Sequence, residues 1–407
     1  MDDNMNTEKM NRGAGFLSKV PEVTVYFWII KVLCTTAGET ASDFLNVSLG
    51  FGLTGTTLVM GAVLTVSLFF QIKAKQYVPA LYWLAVVLIS IFGTLFTDNL
   101  TDKLGVPLEV STLVFSVALM ATFAVWYWSE RTLSIHSIYT LRRESFYWLA
   151  ILFTFALGTA AGDLMAEGLG LGYFVTGLLI AGMSAVITIA WRLGLNAILA
   201  FWMAYILTRP LGASLGDFLS QSQSNGGLGL GPAATSTLFV VAILITVIFL
   251  TYTKKEQITD PFLADKAMPS QRTAPWQVVL ALSAFLITVS AGYYWRHAEL
   301  QHQSIAPSSA ISPLGDLSEL RKISVATLNL VQKGDLAAAT EHVRDLETAW
   351  DQGQSRLKPM NPAKWSVVDA SIDHVLRQLR SQRPDAQQCK AALNSLITTL
   401  NSLDHPK

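Results

Sequence analysis

Four aspartates, Asp43, Asp98, Asp163 and Asp217, each stand five residues after a glycine, and that glycine stands ten after a tryptophan. The copies read Trp28–Gly38–Asp43, Trp83–Gly93–Asp98, Trp148–Gly158–Asp163 and Trp202–Gly212–Asp217. In the first three a further glycine follows seven residues later (Gly50, Gly105, Gly170); in the fourth the glycines (Gly226, Gly227, Gly229, Gly231) come later still. Such self-similarity marks a repeat architecture. Each aspartate closes an apolar run. An ionised carboxylate inside a bilayer costs roughly 2.5–3.5 kcal/mol on insertion scales, so it must face protein or water. Four of them at one depth would form an acidic ring, as lines cation-selective paths. Taken singly, each also fits a plainer role, solvated at the outer surface or capping the next helix.

The neighbouring charges sharpen this reading. Glu39 adjoins Gly38, one turn before Asp43, so both carboxylates share a helix face. Arg209 is expected to act as counter-ion to the aspartates or as a gate. Pro210 removes a backbone bond and frees the carbonyl of Ile206, which predicts a broken helix near the midplane, with a packing kink as the plainer reading. Lys31, three residues past Trp28, is expected to snorkel to the inner headgroups. Glu39 and the four aspartates outnumber Lys31 and Arg209, and a dry interior does not hold that surplus uncompensated. The expected ion pathway is therefore Glu39, Asp43, Asp98, Asp163, Arg209 and Asp217. Oxygen ligands suit a hard divalent cation, magnesium or manganese, which makes Glu39, Asp43, Asp98, Asp163 and Asp217 the candidate metal ligands. No catalytic residue set and no organic cofactor is read.

These residues need membrane helices to position them. The chain is 51% hydrophobic and 14% charged, with mean hydropathy +0.41, which excludes an ordinary soluble globule. Nine stretches are long enough to span a bilayer: 23–45, 54–72, 77–98, 110–128, 146–166, 173–191, 195–217, 232–252 and 276–295. Lys and Arg crowd one set of loops (Lys73, Lys75, Arg131, Arg142, Arg143, Arg192, Lys254, Lys255), whereas the opposite loops hold only Lys103. That bias places the N-terminus inside and the C-terminal region outside.

The expected architecture is an all-α membrane protein. A cytoplasmic tail (1–21) leads into a body of four parallel two-helix repeats (22–253, divided as 22–76, 77–140, 141–194 and 195–253). A cytoplasmic linker (254–275), a ninth transmembrane helix (276–296) and a periplasmic helical domain (297–407) follow. The expected location is the inner membrane of a bacterium. Parallel repeats are related by an axis along the membrane normal, so Trp28, Trp83, Trp148 and Trp202 fall at one depth. They are read as headgroup anchors as well as repeat packing. Gly38, Gly93, Gly158 and Gly212 then lie roughly 15 Å further in, where small residues let helices approach closely.

The tail reads as four amphipathic helices. Asp316 with Glu319 resembles a capping box, Gly334–Asp335 starts the second helix, Trp365 lies on the third, and Pro384–Asp385 precedes the fourth. His297 and His302 lack the spacing of paired helical ligands, and Cys34 and Cys389 are not expected to pair.

Four tandem two-helix units, each with its tryptophan, resemble an uncharacterised family of bacterial membrane proteins defined by that repeat. The resemblance covers about residues 22–253. It implies an eight-helix body in the inner membrane and supplies no substrate.

The expected function is a transporter or permease for a small cation, coupled to protons through the acidic ring. Its partners would be the lipid bilayer, the cation and a periplasmic protein, with no nucleic acid. The alternative is a membrane-anchored sensor or assembly protein whose exported domain binds a ligand or partner. An intramembrane aspartyl protease is disfavoured, because Ala160 and Ser214 stand where that class places a glycine before Gly162–Asp163 and Gly216–Asp217.

Overall fold

The computed structural model describes residues 18–48, 52–169, 171–221, 227–256, 314–357, 360–381 and 384–404. Every regular element among them is helical. Eight long helices build the repeat body: α1 Val25–Ser48, α2 Gly52–Lys73, α3 Pro79–Asp98, α4 Leu108–Glu130, α5 Leu141–Asp163, α6 Tyr173–Arg192, α7 Ala197–Ser220 and α8 Pro232–Thr253. The expected boundaries agree to within a few residues. Seven of the eight are long and apolar enough to cross a membrane. The other, α1, has the length but carries Lys31, Glu39 and Asp43. The linker at 254–275 is described only to Glu256, and the ninth span, His297 and His302 lie outside the described residues.

Local chemistry fixes the helix ends. Prolines open α3 and α8, where a missing N–H costs nothing. The Thr140 hydroxyl accepts from the Arg143 amide at the start of α5, and the Asn196 side chain accepts from the amides of Ile198 and Leu199 at the start of α7. A π-helical turn extends α3 (Asn99–Lys103) and another extends α5 (Leu164–Gly168), each just beyond the repeat aspartate. Pro210 does not break its helix: α7 runs unbroken from Ala197 to Ser220. The proline ring packs against Gly158 and Gly162 on α5, so the break expected from sequence does not occur and the plainer packing reading fits the contacts.

The odd-numbered helices pack in a closed ring, α1 on α3, α3 on α5, α5 on α7, and α7 back on α1. Each even helix packs chiefly on the odd helix of the following repeat: α2 on α3, α4 on α5, α6 on α7, and α8 on α1. The last repeat is thereby tied to the first. The two sets differ in burial, since 67% of the apolar stretch of α3 or α5 is covered but only 28% of that of α2 or α8. Leu58, Val66, Leu178, Val186, Leu244 and Ile245 on the even helices are exposed, an arrangement compatible with contact to lipid.

Residues 18–24 cross beneath the tryptophan end of the ring. The Lys19 amide donates to the Ile138 carbonyl, that of Tyr77 to Ser18, and that of Glu22 to Glu256. Lys19 Nζ reaches Glu144 at 2.7 Å and the Ile72 carbonyl at 2.8 Å.

Four further helices form a closed bundle: α9 Ser318–Gln332, α10 Leu336–Leu357, α11 Pro362–Leu379 and α12 Ala386–Asp404. They sit where the amphipathic stripes placed them. Asp316, Asp335, Asn361 and Asp385 accept from the first-turn amides of their helices. The core includes Leu320, Val343, Leu346, Ile372, Leu393 and Leu400, with Trp350 stacked on Trp365 at 5.3 Å. The bundle rests on the aspartate end of the body. α11 packs on the π turn after α3, where Ser366 donates to the Thr101 carbonyl at 3.4 Å, and α10 packs on the turn after α5. Gly105 lies against Ala363, too close for a side chain.

Candidate functional site

The repeat spacing turns the odd-helix ring into layers stacked along its axis. At the lowest layer each tryptophan meets the aromatic residue that precedes the tryptophan of the previous repeat. Trp83 packs on Phe27 (ring centroids 5.6 Å apart), Trp148 on Tyr82 (5.5 Å), Trp202 on Tyr147 (6.2 Å) and Trp28 on Phe201 (5.7 Å). The cycle closes. Trp83, Trp148 and Trp202 are buried and Trp28 partly so. This corrects the headgroup-anchor reading, because the rings cement neighbouring repeats in place of facing lipid. Phe27, Tyr82, Tyr147 and Phe201 each immediately precede a repeat tryptophan, a spacing signal the sequence analysis did not use.

The floor is sealed further. Tyr82 and Tyr147 hydroxyls bond each other at 2.5 Å. Below them the buried Glu256 accepts from the Tyr77 hydroxyl at 2.6 Å and from Trp83 Nε1 at 3.2 Å. Burial raises the Glu256 carboxyl above the usual Glu range, partly offset by those two donors. Nothing in the spacing signalled Glu256, which follows the last repeat helix.

One turn above the tryptophans lie Lys31, Val86, Ile151 and Tyr205, all buried. Lys31 Nζ stands 3.7 Å from the centre of the Phe155 ring and 4.1 Å from that of Tyr205. It does not snorkel. Cation–π contact holds its ammonium inside the protein.

The next layer is Thr35, Ser90, Phe155 and Arg209, and it explains the repeat glycines. Each glycine touches the residue three positions before the glycine of the next repeat: Gly38 against Ser90, Gly93 against Phe155, Gly158 against Arg209, and Gly212 against Thr35. An added Cβ would lie 3.1 Å from Phe155 Cβ at Gly93 and 2.5 Å from Arg209 Cβ at Gly158, and would overlap its neighbour outright at Gly38 and Gly212. Close approach of the inner helices requires the missing side chains.

Above it come Glu39, Thr94, Thr159 and Ala213. The Arg209 guanidinium donates through one nitrogen to both the Glu39 carboxylate and the Thr94 hydroxyl. Arg209 is fully buried and Glu39 nearly so. The counter-ion of Arg209 is thus Glu39, where an aspartate had been expected. Thr94 was missed in the sequence, although it occupies the position of Glu39 in the second repeat, one residue past the glycine.

The aspartates form the top layer. Asp217 is buried, and Asp43, Asp98 and Asp163 are half-buried. Asp98 lies within electrostatic range of Asp102, Glu39, Asp163 and Asp43, so the carboxylates of three repeats act on one another. Asp98 makes no capping bond to the turn that follows it, which removes the helix-cap reading for that residue. None of the four aspartates is fully exposed. Among the described residues, no three Asp, Glu, His or Cys side chains converge closely enough to hold a metal ion. Glu39, Asp43, Asp98, Asp163 and Asp217 therefore share a region without forming a chelating cluster, and Glu39 is committed to Arg209.

No curated protein and no solved structure matches the chain. The family described as Repeat of Unknown Function (DUF347) matches it in four tandem copies, at residues 26–77, 81–132, 146–193 and 200–256, each spanning one inner helix and the outer helix after it. These four copies cover more than half of the chain, and the protein belongs to that repeat family.

Proposed function

We propose that this protein is a multi-pass membrane transporter or permease for a small cation, with the repeat aspartates lining the outer approach. The observation that carries the reading is the electrostatic encounter of Asp98 with Asp43, Asp163 and Glu39. Carboxylates from different repeats gain nothing from meeting beside a dry core unless something positive neutralises them. The absence of a chelating cluster among the described residues favours passage of a hydrated or protonic charge over tight ligation of a bare metal.

In this reading the tryptophan end faces the cytoplasm, because Lys73, Lys75, Arg142, Arg143, Arg192 and Lys254 gather there. The chain leaves the body at Glu256 on that end, and the bundle beginning at Leu314 rests on the other. An intervening ninth span and an exported bundle account for the change of side. Docking of α10 and α11 over the acidic end also supports a second reading, in which the bundle senses a ligand and the body serves as its anchor.

Uptake and efflux in proteoliposomes, across divalent metals, protons and organic cations, test the proposal. Asp217→Asn and Asp98→Asn are expected to lower flux at least tenfold while the protein remains folded. Unchanged flux in both variants removes the acidic-ring mechanism and leaves the sensor reading.

A further inference from the structure

Among the described residues, the middle of the repeat body buries two basic side chains, Lys31 and Arg209, and one acidic one, Glu39. Arg209 and Lys31 are each 1% exposed, and Glu39 is 7% exposed. Glu39 is taken by a single nitrogen of Arg209. Arg209 Nε and Nη1 and Lys31 Nζ have no hydrogen-bond partner among the described residues. They lie near one another: Lys31 Nζ sits over Phe155, which shares the layer of Arg209, and over Tyr205, one helical turn before Arg209 on α7. Lys31 and Arg209 repel each other directly.

Among the described residues, Glu39 is the one carboxylate bonded to either cation. The groups acting electrostatically on Lys31 are Cys34 and Arg209. Glu256 lies below the aromatic floor and is held by Tyr77 and Trp83, and Glu144 is bonded by Lys19. The Thr35 hydroxyl is spent on the carbonyls of Val32 and Thr208, and those of Tyr82 and Tyr147 on each other. The buried Tyr205 hydroxyl is one more unpartnered donor beside the two cations. A buried charge without a partner is expensive, and water alone would satisfy the donors without removing the surplus positive charge.

We infer that Lys31 and Arg209 hold a small monovalent inorganic anion of the halide class between them. With Lys31 protonated, two cations less Glu39 leave one positive charge, and that balance sets the valence. The walls set the size and hydration: Phe155, Tyr205, Val86 and Ile151 offer apolar surface that disfavours strongly hydrated divalent anions such as sulfate. The bound anion would fix Lys31 in its charged form beneath the acidic ring. The inference does not rest on transport, because Lys31 Nζ and Arg209 Nε and Nη1 are buried and unpartnered among the described residues whatever passes the aspartates.

The test uses the full chain in detergent at constant ionic strength, with gluconate replaced stepwise by chloride or bromide. Wild type is expected to show a saturable rise in Tm of roughly 5 °C at a hundredfold excess over the dissociation constant. Lys31→Met should lose that rise, and Lys31→Arg and Asp217→Asn should keep it. Bromide-soaked wild-type crystals should give an anomalous peak between Lys31 Nζ and the Arg209 guanidinium, a readout that needs no variant to fold. A wild-type Tm identical in gluconate and chloride overturns the inference. So does an equal rise in Lys31→Met, or density for water alone at that point. Loss of cation flux with the halide response intact would count against the transport reading only.

Discussion

The tryptophan end and the aspartate end of the inner ring are built on the same fourfold plan with opposite chemistry. At the lower end four indoles and their aromatic neighbours close a dry floor; at the upper end four carboxylates gather beside small residues. The layers between them break the plan. Lys31 stands where the other repeats have Val86, Ile151 and Tyr205, Arg209 where they have Thr35, Ser90 and Phe155, and Glu39 where they have Thr94, Thr159 and Ala213. Equivalent residues make the wall, and the unequal ones place charge on the axis. The unequal layers should therefore respond most to substitution.

The largest effect is expected from breaking the central ion pair. Arg209→Gln strands the Glu39 carboxylate in the interior and should cost about 3–5 kcal/mol of stability. Glu39→Gln combined with Arg209→Gln removes both charges and should recover most of that loss. A double-mutant cycle by unfolding in detergent reads the coupling. Additive single and double effects would show that the two groups do not act as a pair, and the division between wall and axis would then fail.

The next effect separates inner glycines from outer ones. Gly38→Ala drives a methyl into Ser90 on α3, and an overpacked core typically loses about 1–3 kcal/mol. Gly93→Ala meets Phe155 Cβ at 3.1 Å and should cost less. Gly182 on the outer helix α6 has open space around it, so Gly182→Ala should be neutral or gain up to about 1 kcal/mol from helix propensity. Thermal midpoints ranked in that order support ring closure by the inner glycines. A loss at Gly182 equal to that at Gly38 would assign the effect to glycine itself and not to its place in the ring.

That ranking also separates what was legible in the sequence from what was not. Hydropathy located the eight body helices and amphipathic stripes located α9 to α12, because length and periodicity are local properties. The Trp–Gly–Asp spacing gave the depth of each layer for the same reason. Neighbours across repeats were not legible. Nothing local says that Gly158 touches Arg209, or that Trp28 closes a ring with Phe201. Two residues were misplaced because a single helix cannot report what lies opposite it. The distance of Lys31 from Trp28 points to the headgroups, but Phe155 and Tyr205 from two other repeats enclose it. Arg209 was paired with aspartates on count alone, whereas Glu39, one layer below them, is the carboxylate within its reach. Pro210 misled differently: a proline frees a carbonyl but does not require a break when facing glycines make room for its ring.

The smallest effect concerns the floor and has a definite sign. Burial raises the Glu256 carboxyl above the usual Glu range despite the bonds from Tyr77 and Trp83. A group whose pKa is raised on folding contributes stability that is complete below its unfolded pKa and is lost as pH rises through the folded value. Wild type should therefore lose stability relative to Glu256→Gln as pH climbs from about 4 towards 7, because the amide keeps an acceptor for the Tyr77 hydroxyl without the cost of burying a charge. Tm measured for both proteins across that range should give near-equal values at the acid end and the variant ahead at neutral pH. A gap that stays constant with pH would mean that Glu256 keeps one protonation state throughout. A gap of opposite sign would mean that an ionised carboxylate is needed under the tryptophans, and the two ends of the ring would then share acidic chemistry after all.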